Sequence, residues 1–181
     1  WIPDTIIGPT GGLDSLDYNG IFYIYPAVDN HEGIKWENGA SEIYWAEWNN
    51  TGHTNTIHIV NHEGSSYGYA ARVCDTLTYL GFTDWYLPAI NELNKMYLNK
   101  NALGMNSSSW YWSSTQYSQY SAYAIDFSTG TISYKDKDPN LYRVKCIRRP
   151  TGEIYPIPSI TNNGSTMFIH PIDNVDGIKW E

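Results

Sequence analysis

Ser121-Ala122-Tyr123-Ala124-Ile125-Asp126-Phe127-Ser128-Thr129-Gly130-Thr131-Ile132-Ser133-Tyr134 decides the fold class. Tyr123, Ile125 and Phe127 recur at every second residue and so share one face of a strand. Ser128-Thr129-Gly130-Thr131 makes a turn, and Ile132 and Tyr134 continue inward. Tyr142, Val144 and Cys146 repeat it once more. The pattern predicts a three-stranded antiparallel meander, with Asp136-Lys137-Asp138-Pro139-Asn140 as its exposed loop.

Upstream the period changes. Ile57 and Val60 lie three apart, with Thr54 or Asn55 to cap a short helix and Gly64 to end it. Ala70, Val73, Cys74 and Leu77 follow the i, i+3, i+4, i+7 spacing of a second helix running from about Ser66 to a stop at Gly81. Ile90, Leu93 and Met96 or Tyr97 define a third, entered through Pro88. Residues 21–25, 34–36 and 43–48 are short strand candidates, the last two parted by the turn dipeptide Asn38-Gly39. Helices precede the meander and do not alternate with its strands, so the expected class is α+β.

Further out, the chain repeats itself. Gly33-Ile34-Lys35-Trp36-Glu37 returns as Gly177-Ile178-Lys179-Trp180-Glu181, an offset of 144 residues that also superposes Asn19-Gly20 on Asn163-Gly164. The expected organisation is a joint at 1–19, a domain at 20–149, a linker at 150–164 and the opening of a second repeat at 165–181. That reads as a window on a tandem array.

Composition narrows the partners. Aromatic residues make up 15% of the chain, with 16 Tyr and 8 Trp against 4 Phe, a bias toward rings that carry a polar handle and suit interfaces as well as cores. A net charge of -8 argues against nucleic acid and polyanions. No apolar run reaches the roughly 20 residues of a membrane span. No Ser-His-Asp order, G-x-S-x-G or phosphate loop is present, so neither catalysis nor a cofactor is expected.

Four ordered motifs resemble the DUF1566 family, which includes the C-terminal domain of the Legionella collagen-like adhesin. They are Asp84-Trp85-Tyr86-Leu87-Pro88-Ala89-Ile90-Asn91-Glu92-Leu93, Tyr111-Trp112-Ser113-Ser114-Thr115, Ala124-Ile125-Asp126-Phe127 before Gly130, and Tyr142-Arg143-Val144-Lys145-Cys146-Ile147-Arg148. Gly33-Ile34-Lys35-Trp36 and Thr51-Gly52-His53-Thr54-Asn55-Thr56 resemble the family's opening. The resemblance implies a C-type-lectin-like fold, related to the formylglycine-generating enzyme, with short helices on a small, loop-rich antiparallel sheet. It also implies a bacterial or phage surface module, outside the cell and without a reaction. Ala89 departs from the family's common Thr, which would cap the third helix and complete a capping box with Glu92.

The resemblance favours a disulfide between Cys74 and Cys146, in line with an oxidising compartment; in a reducing cell the two would be small buried thiols. Trp110, Gln116, Tyr117, Gln119 and Tyr120, set among serines in 107–121, are the candidate ligand contacts, because rings supply area and hydroxyls supply adaptable hydrogen bonds. Tyr111 and Trp112 in the same stretch read as core. His58 and His62 have i, i+4 spacing but lack the other ligands of a zinc site, and Asp136, Asp138 and Asn140 lack the rest of a calcium loop, so no metal is expected. The sequence therefore predicts a noncatalytic extracellular module that holds a surface glycan or protein ligand. The alternative is a structural subunit of a filament or viral fibre, held by self-association or neighbouring repeats.

Overall fold

A computed structural model describes residues 33–39, 41–65, 68–79, 82–101, 105 and 108–149, and the backbone of four short strands at 6–7, 22–24, 159–162 and 165–168. In chain order the elements are β1 (Ile6–Ile7), β2 (Phe22–Ile24), α1 (Gly52–Glu63), α2 (Ala70–Asp75), α3 (Ile90–Leu98), β3 (Trp110–Gln116), β4 (Ser121–Asp126), β5 (Thr131–Asp136), β6 (Ile147–Arg148), β7 (Ser159–Asn162) and β8 (Ser165–Phe168). The class is α+β, with short helices against a small antiparallel sheet. Among the described residues no helix is long and apolar enough to cross a membrane.

The central sheet is the meander β3-β4-β5, with Tyr123 opposite Tyr134 and Ile125 opposite Ile132, although Ile132 and Tyr134, expected to point inward, are exposed on the outer strand β5. Its second turn closes where expected. Gly130 takes φ 81° and donates its N–H to the Asp126 carbonyl, while Asp126 Oδ1 accepts from the Ser128 backbone and hydroxyl. The meander is assembled differently from the expectation, because its first strand is 110–116 and the segment 142–146 is not one of its strands. Arg143 donates to the Trp110 carbonyl and accepts from Trp112 N, a single parallel bridge, and the chain then leaves to pair Ile147 with Tyr86 and with β2. Alternation at 142, 144 and 146 reports a buried side but carries no information about the hydrogen-bonding neighbour.

Strand β3 hid from pattern reading for a physical reason: both of its faces are covered and, unlike β4 with small Ala122 and Ala124 on one side, it presents large rings to both. Trp112, Ala122 and Ala124 pack into one core with Ile59 of α1, Cys74 of α2, Trp36 and Trp85. Tyr111, Ile125 and Phe127 point the other way, into a second core with Ile90, Leu93 and Met96 of α3. A strand buried on both sides loses its polar alternation. Between Trp112 and Gln116 the pairing shifts register, so Ser113, Ser114 and Thr115 bulge out of the ladder.

The helices depart from expectation in detail. In α1 the buried residues are Gly52, Asn55, Thr56 and Ile59, whereas Ile57 is exposed and Val60 only partly covered. Polar Asn55 and Thr56 take the core face because loop backbone meets them there. Asn55 Nδ2 donates to the Trp48 carbonyl and Leu87 N donates to Thr56 Oγ1. Helix α2 is short, and beyond it Tyr79 bridges to Phe82. Residues 34–36 and 43–48 are not strands; Ile34 makes one bridge to Tyr142, and 43–48 turns on an Ala46 N–H donated to the Ile43 carbonyl.

At the entrance of α3 a hydroxyl from the β3 bulge serves the first helix N–H: Ile90 N donates to Thr115 Oγ1 at 3.0 Å, a different donor from the Glu92 N–H that a Thr at 89 would cap. Glu92 accepts from Ala89 N at 2.8 Å, as a capping box requires. The joint at 1–19, the linker at 150–164 and the second repeat at 165–181 fall outside the described residues, apart from β1 and the hairpin of β7 with β8.

Candidate functional site

Three loops meet at one end of the meander, and Lys137 ties them together. It follows the last residue of β5 and donates its backbone N–H to the Tyr120 carbonyl. Its side chain runs inward, where Nζ reaches Glu37 Oε1 at 2.9 Å, the Ser41 carbonyl at 2.9 Å and Gln116 Oε1 at 2.8 Å, above the Trp36 ring. Both charged side chains are buried, 1% and 0% exposed. An ion pair this deep persists only with several hydrogen bonds around it. Burial pushes the Glu37 carboxyl up and the Lys137 ammonium down, and their pairing opposes both shifts. The sequence places Lys137 in an exposed loop, but the three acceptors of its ammonium draw it inside.

Beside this post the strap 33–37 is held at Ile34, Lys35, Trp36 and Glu37. Trp112 Nε1 donates to the Ile34 carbonyl, Ala70 N to the Lys35 carbonyl and Trp36 Nε1 to the Ser113 carbonyl. Lys35 also pairs with Asp138 at 2.7 Å, and Asn140 Nδ2 bonds the Asp136 carbonyl, so the oxygen-rich loop 136–140 is occupied by its own contacts.

The loop 41–48 is pinned at both ends. Ile43 N donates to Gln116 Oε1, Gln116 N donates to the Ala46 carbonyl, and Ile43 and Ala46 are buried. Trp48 donates N–H to Asn55 Oδ1, and its carbonyl accepts from Asn55 Nδ2 and Thr115 Oγ1. Between these anchors the side chains of Tyr44, Trp45 and Trp48 stand outside, 72%, 62% and 53% exposed. Trp45 has φ 72°, a conformation uncommon for any residue but glycine. These three rings were missed because the run 43–48 reads as a strand; the available signal was three aromatic residues within five positions.

Of the predicted contacts, the structure brings Tyr117 and Tyr120 to the surface and withdraws Gln116. Tyr117 is 51% exposed, stacks on Tyr134 at 4.3 Å and meets Tyr123 edge-on. Tyr120 is 60% exposed in a turn closed by Ser118 and Ser121. Gln119 is half-buried there. Trp110 is half-buried, stacked on Tyr142 with Lys135 Nζ above its ring. Gln116 is buried, and its amide binds Ile43, Glu42 and Lys137.

Cys74 and Cys146 are bonded through their sulfurs, joining α2 to the segment after Tyr142 across the first core. His62 pairs with Glu63 at the exposed end of α1, and among the described residues no three His, Cys, Asp or Glu side chains gather as metal ligands. Burial pushes the Glu92 carboxyl up to about 7. Its oxygens accept from Ala89 N, Gly52 N, the Tyr86 hydroxyl and Arg149, so it serves as a structural knot.

No curated protein matches the chain. The model of the Lcl C-terminal domain family matches residues 27–148, which contain the strap, all three helices, both cores, the disulfide and the aromatic loops. The chain belongs to the Lcl C-terminal domain family, the noncatalytic adhesin-type domains of bacterial cell surfaces.

Proposed function

We propose that this extracellular domain holds a carbohydrate or protein ligand on the aromatic surface around the turn 117–120. The observation that carries the reading is Tyr117 stacked on Tyr134, beside exposed Tyr120, on a turn whose backbone is hydrogen-bonded to the buried Lys137. Rings held in place before a ligand arrives lose little freedom on binding. Binding to host cells or to a glycan array is expected to fall at least tenfold in Tyr117→Ala/Tyr120→Ala with the melting temperature kept within a few degrees. Undiminished binding in that variant rules the site out.

A second reading, a subunit of a surface filament or fibre, is favoured by the repeated Gly-Ile-Lys-Trp-Glu at 177–181. In residues 33–37 that sequence forms the strap around the Lys137 post, so its recurrence fits another domain of the same build. Ordered assembly that disappears when residues 150–181 are removed, with no ligand bound by either form, is the result that selects this reading.

A further inference from the structure

We propose that the loop 43–48 is a saccharide platform on which Tyr44, Trp45 and Trp48 stack against an uncharged glycan. The inference rests on the reading of the domain as a binding module, and it names a separate surface and a ligand class.

The loop's construction argues for use. Its fastening to the core is complete without the three rings: Ile43 and Ala46 fill the interior, and Gln116, Asn55 and Thr115 hold the backbone. Nothing in that fastening calls for a large apolar side chain at 44, 45 or 48. Trp45 nevertheless sits at φ 72° with its side chain in solvent, where a glycine would be at ease. Unfavourable backbone held by its surroundings collects at sites that act on other molecules.

The chemistry of the surroundings selects the ligand. The exposed residues from 44 to 50 are Tyr44, Trp45, Glu47, Trp48, Asn49 and Asn50, a set of rings, amides and a carboxylate without one aliphatic side chain. Ring faces carry negative charge that attracts the weakly positive C–H face of a sugar, and amide and carboxylate oxygens accept from its hydroxyls. A protein partner would more commonly meet aliphatic surface as well. Glu42 and Glu47 are exposed on the loop itself, whereas the cations nearest it are already paired, Lys137 with buried Glu37 and Arg149 with buried Glu92. That field repels sulfated, phosphorylated and uronic-acid polymers.

The test is titration calorimetry of the whole chain with neutral hexasaccharides built from glucose, mannose, galactose or N-acetylglucosamine, alongside heparin and a lysine-rich peptide. At least one neutral hexasaccharide is expected to bind, and heparin is not. Trp45→Gly is expected to weaken that binding tenfold or more while the melting temperature stays equal or rises, since glycine relieves the backbone at 45; Trp48→Ala gives a second reading of affinity. No neutral hexasaccharide bound at millimolar concentration, binding confined to heparin or the peptide, or full affinity in Trp45→Gly overturns the inference. Tyr117→Ala/Tyr120→Ala separates the two surfaces. A ligand lost in that variant and kept in Trp45→Gly sinks the platform alone, and the opposite pattern supports the platform and removes the turn 117–120.

Discussion

Lys137 and Glu37 show how single residues set the position of an exposed surface from beneath it. Their charges are buried together, and Glu37 Oε2 has no hydrogen-bond partner, so the pair has little reserve. Removing one member leaves a buried charge alone, which costs about 3–5 kcal/mol, whereas exchanging both for groups of similar shape is far milder. Lys137→Met is therefore expected to lower unfolding free energy by about that amount in urea titrations, and Glu37→Gln/Lys137→Met to recover most of it. Glu92 gives a pH signature. The folded chain holds its proton up to about pH 7, while the unfolded chain releases it near 4.5, so the folded state binds more protons between those values. Stability from this group rises as pH falls from about 7 to 4.5 and is lost on the way back up, a span worth roughly 3 kcal/mol. Burial pushes Glu37 the same way. Urea unfolding at pH 5 and pH 7 measures the difference, and Glu92→Gln is expected to flatten most of it.

At the level of elements, the sequence revealed what keeps a period of large side chains, even in β4, where Ala122 and Ala124 enter one core and Ile125 the other, and concealed what lacks one. The pair β4 and β5 and the stripe Ile90, Leu93 and Met96 of α3 were legible because their periods survive. Strand β3 was not, since Tyr111 and Trp112 enter opposite cores and the bulge 113–115 breaks its period. The stripe of α1 was misplaced because Asn55 and Thr56 look like surface residues until Trp48 and Leu87 supply their partners. The same limit applies to the candidate site. Tyr117 and Tyr120 could be picked from composition, but Gln116 could not be recognised as buried, nor could 43–48 be seen as a pinned loop, without the long-range bonds that join them. The disulfide fastens α2 to the chain after β5 across a sequence separation of 72. In the chain-entropy account, closing a loop of that length contributes about 4 kcal/mol. Chemical denaturation with and without reductant is expected to show a loss of that order, and Cys74→Ser/Cys146→Ser to match the reduced protein.

Among the described residues, two cores clasp one sheet, a disulfide and a buried ion pair fasten the loops, and Tyr44, Trp45, Trp48, Tyr117 and Tyr120 stand exposed on the loops so fastened. The central claim is that these outer rings meet the ligand and the inner ones only hold the frame. Trp45 and Trp48 lie outside, while Trp36, Trp85 and Trp112 are 0–5% exposed. Indole N–H resonances of the ¹⁵N-labelled chain, followed during titration with a bound glycan or surface extract, separate the two groups directly. The account predicts that Trp45 and Trp48 signals shift in a saturable manner while Trp36, Trp85 and Trp112 stay fixed. Signals of the buried indoles moving with Trp45 and Trp48 still, or none moving under a ligand whose binding survives Tyr117→Ala/Tyr120→Ala, would contradict it.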